Sequence, residues 1–299
     1  MPDYLLNEED FKSLKAYINF LNELPPALKV IEAFTESIRR QGHQMLAPPD
    51  AHMLLQAAQG NAGSWQAIRM SIPLIGQGVG QAVRDTRLFI EEFHIYIKNP
   101  VNGKTRFLDM DIGHFSLTTS HRWGREAPVN VSDLLRALFN GLLNVEQAIL
   151  SFMSAVTSIG ISLHGIFIRF IESLTLELCS CDKTTSKIEA YYGLGKVELP
   201  GMQLDLQRPY SEQERMANAR EHIARLRSMH LHATSAVDNL TDFCYRLQYL
   251  LADARGELQA DHPAQTLVRL GIRLNFVRDS LVEVNPMTER LLEISKRLR

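Results

Sequence analysis

The chain has 299 residues, of which 45% are hydrophobic and 22% charged, and its formal net charge is −2. This balance fits a soluble globular protein of one to three domains and lacks the basic excess that binding to nucleic acid calls for. Three cysteines exclude a disulfide framework, and Cys179 and Cys181 alone are too few ligands for structural zinc. All three read as reduced thiols, with no metal or cofactor expected. The N-terminus, MPDYLLNEED, is acidic and has neither the basic nor the apolar region of a secretory signal. The chain is therefore expected to be made in the cytoplasm, with any export by another route.

The first hundred residues read as helical. Glu8 to Asn22 carries Phe11, Leu14, Ile18 and Leu21 at helical spacing. Pro25 and Pro26 are expected to interrupt this helix before a second run, Leu28 to Arg40, stops at Gly42. Asp50 is a cap candidate for the next helix. A long helix follows from about Ser64 to Lys98, with Ile68, Ile72, Ile75, Val79, Ala82, Phe89, Phe93 and Ile97 at three-four spacing and Thr86 as the exception. Pro73 is expected to kink or restart it, and Asn99 and Pro100 end it.

Residues 101–128 alternate and contain turn residues, as short strands do. A matching arm covers 184–208. Between them an apolar helical segment runs from 131 to 179, with Gly160 and Gly165 as candidate dividing points. At its centre, Glu146 and Arg169 bound the 22 residues QAILSFMSAVTSIGISLHGIFI, which carry no formal charge. As a helix this run is about 33 Å long, against roughly 30 Å of bilayer hydrocarbon. Composition leaves three readings open: a permanent span, a plain buried core helix, and a helix that is covered in a soluble form and inserts when released. Gly160, Gly165 and five Ser/Thr residues make it weaker than a constitutive span, yet such residues also form helix contacts inside membranes.

The last ninety residues return to helix. Met216, Ala219, Ile223, Leu226, His230, Ala233, Val237, Leu240, Cys244, Leu247, Leu251, Ala254 and Leu258 alternate three and four apart, the pattern of a coiled-coil seam. His230 is the one of these positions that is neither apolar nor alanine. The helix from Ser211 to Gln259 would be roughly 70 Å long and needs partners of equal length. The 64–98 helix and a final helix over about 263–299, which Pro286 is expected to kink or divide, are the candidates. The predicted fold is mainly α: an elongated antiparallel helical bundle, a coiled-coil stalk, with an apolar helical head and short flanking β-strands. The expected division is 1–100 and 211–299 for the stalk and 101–210 for the head.

No catalytic signature stands out. GQGVG at 76–80 has the look of a phosphate loop, but it sits in a helical pattern with no strand before it, so its small residues read as sites of close helix packing. His114 and His121 read as turn or surface residues. His230 and His232 are two apart on a helix, face different directions, and cannot chelate together. Trp65 reads as a packing anchor, and no GxSxG motif is present. The protein is not expected to be an enzyme.

The flanking regions carry a resemblance. LKAYINFLNELP (14–25), Gly42, Leu46, Pro48, Asp50 and Leu54, then NAGSWQAI (61–68) and IPLIGQGV (72–79), resemble the N-terminal region of the A component of the α-xenorhabdolysin family, which are binary α-helical pore-forming toxins. REHIARLRSMHLHATSAVDNL (220–240) and LVRLGIRLNFVRDSLVEVNPM (267–287) are similar to that family's returning stalk helix and final helix. The resemblance covers 1–99 and 212–299. It implies a soluble protein, released from the cell, that meets a second, B-type component and forms a hetero-oligomer on target-cell membrane lipids, without catalytic residues. It also implies that an apolar head, about Leu134 to Leu178, inserts or primes its partner. The candidates for insertion are Ile149, Leu150, Phe152, Met153, Val156, Ile159, Ile161, Leu163, Ile166, Phe167 and Ile168. The strand arms would cover them in the soluble form. Ile223, Leu226, Val237, Leu240, Leu247, Leu251 and Leu258 would form the seam of the stalk. The alternative is a non-enzymatic helical scaffold or adaptor in which the apolar segment is permanent core.

Overall fold

The structure is a computed structural model that describes residues 6–39, 51–98, 116–117, 129–181, 212–258 and 267–297. Its helices are α1 (Glu8–Arg39), α2 (Ala51–Lys98), α3 (Val131–Ser162), α4 (Ile168–Cys181), α5 (Glu212–Leu258) and α6 (Leu267–Arg297). A π-helical turn, Leu163–Phe167, joins α3 to α4 without a break. Two strands, β1 (Ser116–Leu117) and β2 (Val129–Asn130), pair antiparallel. They are far shorter than the expected strand arms. The rest of 101–128 and all of 184–208 lie outside the described residues, as do Gly42, Asp50, His114 and His121.

Local chemistry explains the start of α1. The Asn7 side chain accepts from the Glu9 N–H at 3.2 Å, while the Asp10 carboxylate accepts from the Asn7 N–H at 3.2 Å. These reciprocal bonds satisfy donors that a helix start leaves open. Glu8, Glu9 and Asp10 place negative charge at the positive end of the helix dipole.

Prolines interrupt less than the sequence predicts. The backbone stays helical through Pro25 and Pro26, giving one helix where two are expected, because proline's fixed φ is itself helical. Pro73 lies inside α2, and Pro286 inside α6. Each deprives the carbonyl four residues earlier of its donor. Those carbonyls belong to Arg69 and Val282, both exposed residues, so water can take the place of the missing N–H. Apolar anchors hold the helices across each proline: Ile68, Ile72 and Ile75 in α2, and Leu281, Val284 and Met287 in α6 are buried.

The chain forms two compact units, and three helices contribute to both. Of the described helices, one unit takes α2 from Arg69, α3 as far as Met153, α5 from Asp242, and α6. Its core includes Ile75, Val79, Phe89, Leu142, Ile149, Phe152, Leu247, Leu251, Leu274 and Leu291. Glycines allow close approach there. A Cβ on Gly76 would lie 2.3 Å from Leu292 Cδ1, and one on Gly78 would lie 2.4 Å from Val145 Cγ2. The GQGVG run is thus a packing surface inside a helix, as its pattern predicts.

The other unit takes α1, α2 up to Ile68, α3 from Ser154, the π turn, α4, and α5 up to Thr241. Its core is more aromatic: Phe11, Tyr17, Phe20 and Phe167 are all buried with Leu14, Ile18 and Leu21. Asn239 of α5 donates to Asp10 of α1 at 3.1 Å, a polar tie at the margin of this core.

Candidate functional site

The uncharged run lies in the end of α3, the π turn and the first residue of α4. Helical periodicity sorts the eleven candidate side chains by exposure. Ile149, Phe152, Val156, Ile159, Leu163 and Phe167 are at most 1% exposed. Met153, Ile166 and Ile168 are half-buried, while Leu150 is 48% and Ile161 69% exposed. Leu150 and Ile161 are eleven residues apart, about three turns, and so share a face. Ser151, Ser154, Thr157 and Ser158 are exposed between them. A surface helix ordinarily presents charge on its solvent side; this face presents only hydroxyls and aliphatic groups. The Ser151 hydroxyl donates to its own helix, to the Gln147 carbonyl at 3.1 Å, and such back-bonding hides polarity. The surrounding stretch, Leu135–Leu176, is long and apolar enough to cross a membrane by length and composition; its most apolar 18-residue window has a mean hydropathy of 1.6 and is 44% buried.

Glu146, the charge before the run, is secured in the first unit. Its Oε2 meets Arg255 Nη1 at 2.7 Å, and the guanidinium carbon of Arg255 lies 5.9 Å from the centre of the Phe139 ring. Oε1 of Glu146 has no hydrogen-bond partner among the described residues. A groove of about 460 Å³ lies in the same unit between α2 and α3, lined by Leu74, Gly78, Ala82, Leu138, Gly141 and Val145 among others.

The π turn is the most heavily held part of the run, and all its contacts lie in the second unit. Ile168 N–H bonds to the Leu163 carbonyl, closing the wide turn. π turns of this kind inside α-helices are frequent at functional sites. The Phe167 ring sits 5.1 Å from Tyr17, 5.8 Å from Phe20 and 6.2 Å from His230 by ring centres, distances at which aromatic pairs attract. Asn61 donates to the Tyr17 hydroxyl at 3.2 Å, and Ser162, just before the turn, also hydrogen-bonds it. Burial holds the Tyr17 phenol protonated, well above its ordinary range. His230 of α5 makes a hydrogen-bonding contact with the backbone of Leu163. Its ring is 6.0 Å from that of His164, edge to face. Beyond the turn, Thr175 donates to the Ile171 carbonyl at 2.7 Å and accepts from Arg227 of α5 at 3.1 Å.

His230 is 9% exposed, and its Nε2 has no hydrogen-bond partner among the described residues. Burial pushes the imidazole below its ordinary pKa, and the nearby His164 adds to this. The Leu163 backbone and Glu172 act the other way.

The seven named seam residues, Ile223, Leu226, Val237, Leu240, Leu247, Leu251 and Leu258, are all buried. So are His230, Ala233, Cys244 and Ala254 between them. Burial in an apolar setting pushes the Cys244 thiol up to about 12, so it is an inert packing group. Trp65 is half-buried. Sequence reasoning missed the π turn and its tie to His230 and Tyr17. The available signals were two histidines in apolar places: His164 within the uncharged run and His230 within the seam.

No protein-family model matches the chain, and comparison with curated proteins by sequence finds no match. Comparison of structures does. The fold is similar to that of XaxA from Xenorhabdus nematophila, with 12% identity, 98% of each chain covered and a TM-score of 0.58. It is similar to that of YaxA from Yersinia enterocolitica, with 11% identity, 97% of each chain covered and a TM-score of 0.61. The XaxAB pore complex from Xenorhabdus nematophila aligns at 10% identity over 98% of each chain, with a TM-score of 0.49. XaxA and YaxA are A components of the α-xenorhabdolysin family. The helical fold expected from the resemblance is therefore found, and among the described residues it includes the helices of 131–181, which the resemblance did not cover.

Proposed function

We propose that the protein is a component of an α-helical pore-forming cytotoxin. On this reading it is released without a classical signal peptide and stays soluble until it meets a second, B-type subunit on a target-cell membrane. The two then assemble into a hetero-oligomer that permeabilises the membrane. The helical stretch Leu135–Leu176 supplies the membrane step, and the eleven candidate side chains from Ile149 to Ile168 meet lipid. No catalytic residue is required. Transfer of apolar surface into lipid, at roughly 25 cal/mol per Å², and new helix contacts between subunits supply the free energy.

The observation that carries this reading is the uncharged face from Leu150 to Ile161. A helix that remained permanently on a protein surface would gain solubility from charge there. A helix that enters hydrocarbon is penalised by it, at about 2.5–3.5 kcal/mol per central charge. The fold shared with XaxA and YaxA supports the same reading.

The rival is a helical scaffold with this segment as permanent core, and the six fully buried side chains of the run are what favours it. Dye release from liposomes separates the two. The toxin reading expects release when the protein is mixed with its B-type partner, and little from either alone. A folded protein that releases no dye under any of these conditions would leave the scaffold.

A further inference from the structure

His230 occupies an unusual place. It is the polar member of an otherwise apolar seam, it is more than nine-tenths buried, and its Nε2 is without a partner among the described residues. Neutral, the ring suits this site: one face of the cluster is the Phe167 ring, another the edge of His164. Its polar contact is to the backbone of Leu163, the first residue of the π turn. Charged, it does not suit the site. A cation would sit in an apolar aromatic pocket with an N–H that no acceptor meets, and such burial is costly.

The charged and titratable groups near it are few. The π turn contributes His164, and α4 contributes Glu172. From α1 comes Tyr17, which touches Phe167 and stays neutral. On its own helix, Arg227 is bonded to Thr175 of α4. Asn61 of α2 is joined to Tyr17 and does not titrate. Glu172 is exposed, so it cannot fully neutralise a buried imidazolium, and the charge of His164 opposes one.

We infer that His230 is an acid-sensitive latch on the π turn: neutral, it fastens Leu163–Phe167 to α5, and on taking up a proton it lets that segment go. The sign follows from linkage. The imidazole binds a proton more readily when the segment is open than when it is closed. The closed form is therefore at full strength above the ordinary histidine pKa of about 6.5. It weakens as pH falls below that value, until the buried ring is itself protonated. The consequence for membranes rests on the function proposed above: mild acid would free the uncharged helix to leave its soluble packing.

Hydrogen exchange at the amides of 160–172, corrected for intrinsic exchange chemistry, reads the latch without a membrane. Between pH 7.5 and 5.5 the expected result is a selective loss of protection in this segment, by up to about tenfold per pH unit, the limit for one linked proton. His230→Phe should remove the dependence. Two exposed substitutions give opposite changes that a merely structural histidine would not produce. His164→Gln removes a group whose charge opposes the buried imidazolium, and should make the loss smaller; Glu172→Gln removes an anion that favours the imidazolium, and should make the loss larger and carry it to lower pH. Unchanged protection in the wild type, or equal pH dependence in folded His230→Phe, overturns the latch. If His230→Phe does not fold, failure of the two exposed variants to change the size of the loss in opposite directions overturns it instead. Dye release at the two pH values reports on insertion separately, so a latch that opens without leakage counts against the pore and not against the latch.

Discussion

Helices α3 and α5 bury similar seams and expose opposite faces. In α3, Leu142, Val145, Ile149, Phe152, Val156 and Ile159 are buried at three-four spacing; in α5, Val237, Leu240, Cys244, Leu247, Leu251 and Ala254 are. Outside, α5 presents Glu221, Arg225, Arg227, Asp238, Asp242, Arg246 and Asp253 to solvent, while α3 beyond Glu146 presents Leu150, Ser151, Ser154, Thr157, Ser158 and Ile161. The buried sides make both helices stable members of a bundle. Only the solvent sides tell which of them could change solvent, because charge is favourable in water and expensive in lipid. The informative part of the uncharged helix is thus the part that does no packing.

The comparison can be broken first at the seams. If both are true core, Phe152→Ala should cost about 3–5 kcal/mol and Leu247→Ala about 2–5 kcal/mol, typical for buried side chains of these types, in urea titrations of the purified protein. A loss below 1 kcal/mol at either site would show that the seam is loosely packed there.

The exposed faces come next. Ile161→Asp should change stability by no more than about 0.5 kcal/mol, as exposed substitutions do. It should still suppress dye release with the partner, through an insertion penalty of about 2.5–3.5 kcal/mol. Full-rate release by this variant would remove the segment from the membrane step. Ile159 is a poor site for the same test, since it is fully buried and a charge there would disrupt folding as well.

A smaller effect is expected where the uncharged run begins. Arg255→Met removes the partner of Glu146, whose side chain is 13% exposed, and should cost about 1–3 kcal/mol, the penalty for leaving a buried acceptor unsatisfied. Adding Glu146→Gln should recover part of the loss. The smallest effect is on the outer face of α5. Asp242→Ala should leave both stability and dye release within experimental error, with a stability change under about 0.5 kcal/mol.

Much of this was legible in the sequence. The expected helix from Ser211 to Gln259 appears as Glu212–Leu258, because a long seam written every three and four residues is a local, repeated signal. The final helix and the end of α2 at Lys98 were legible for the same reason. Pro25 and Pro26 were over-read, and neither Pro73 nor Pro286 divides its helix: whether a proline ends a helix depends on what flanks it and on where the freed carbonyl points. The π turn was not legible at all. Gly165 hinted at a division, but a one-residue widening of a helix is decided by what Leu163, Phe167 and Ser162 meet, and Tyr17 and His230 lie far away in sequence. His230 as the single polar seam position was the one available clue to the site.

The central claim is that the face carrying Ile161 passes from water into lipid. An environment-sensitive fluorophore on Ile161→Cys, with Cys179→Ser and Cys181→Ser to leave buried Cys244 as the remaining native thiol, measures this directly. A second labelled protein carrying Asp242→Cys on α5 is the control. With liposomes and the B-type partner, the account predicts a blue shift and protection from aqueous quencher at position 161, and neither at 242. Dye release with the 161 probe still fully exposed to quencher would contradict it.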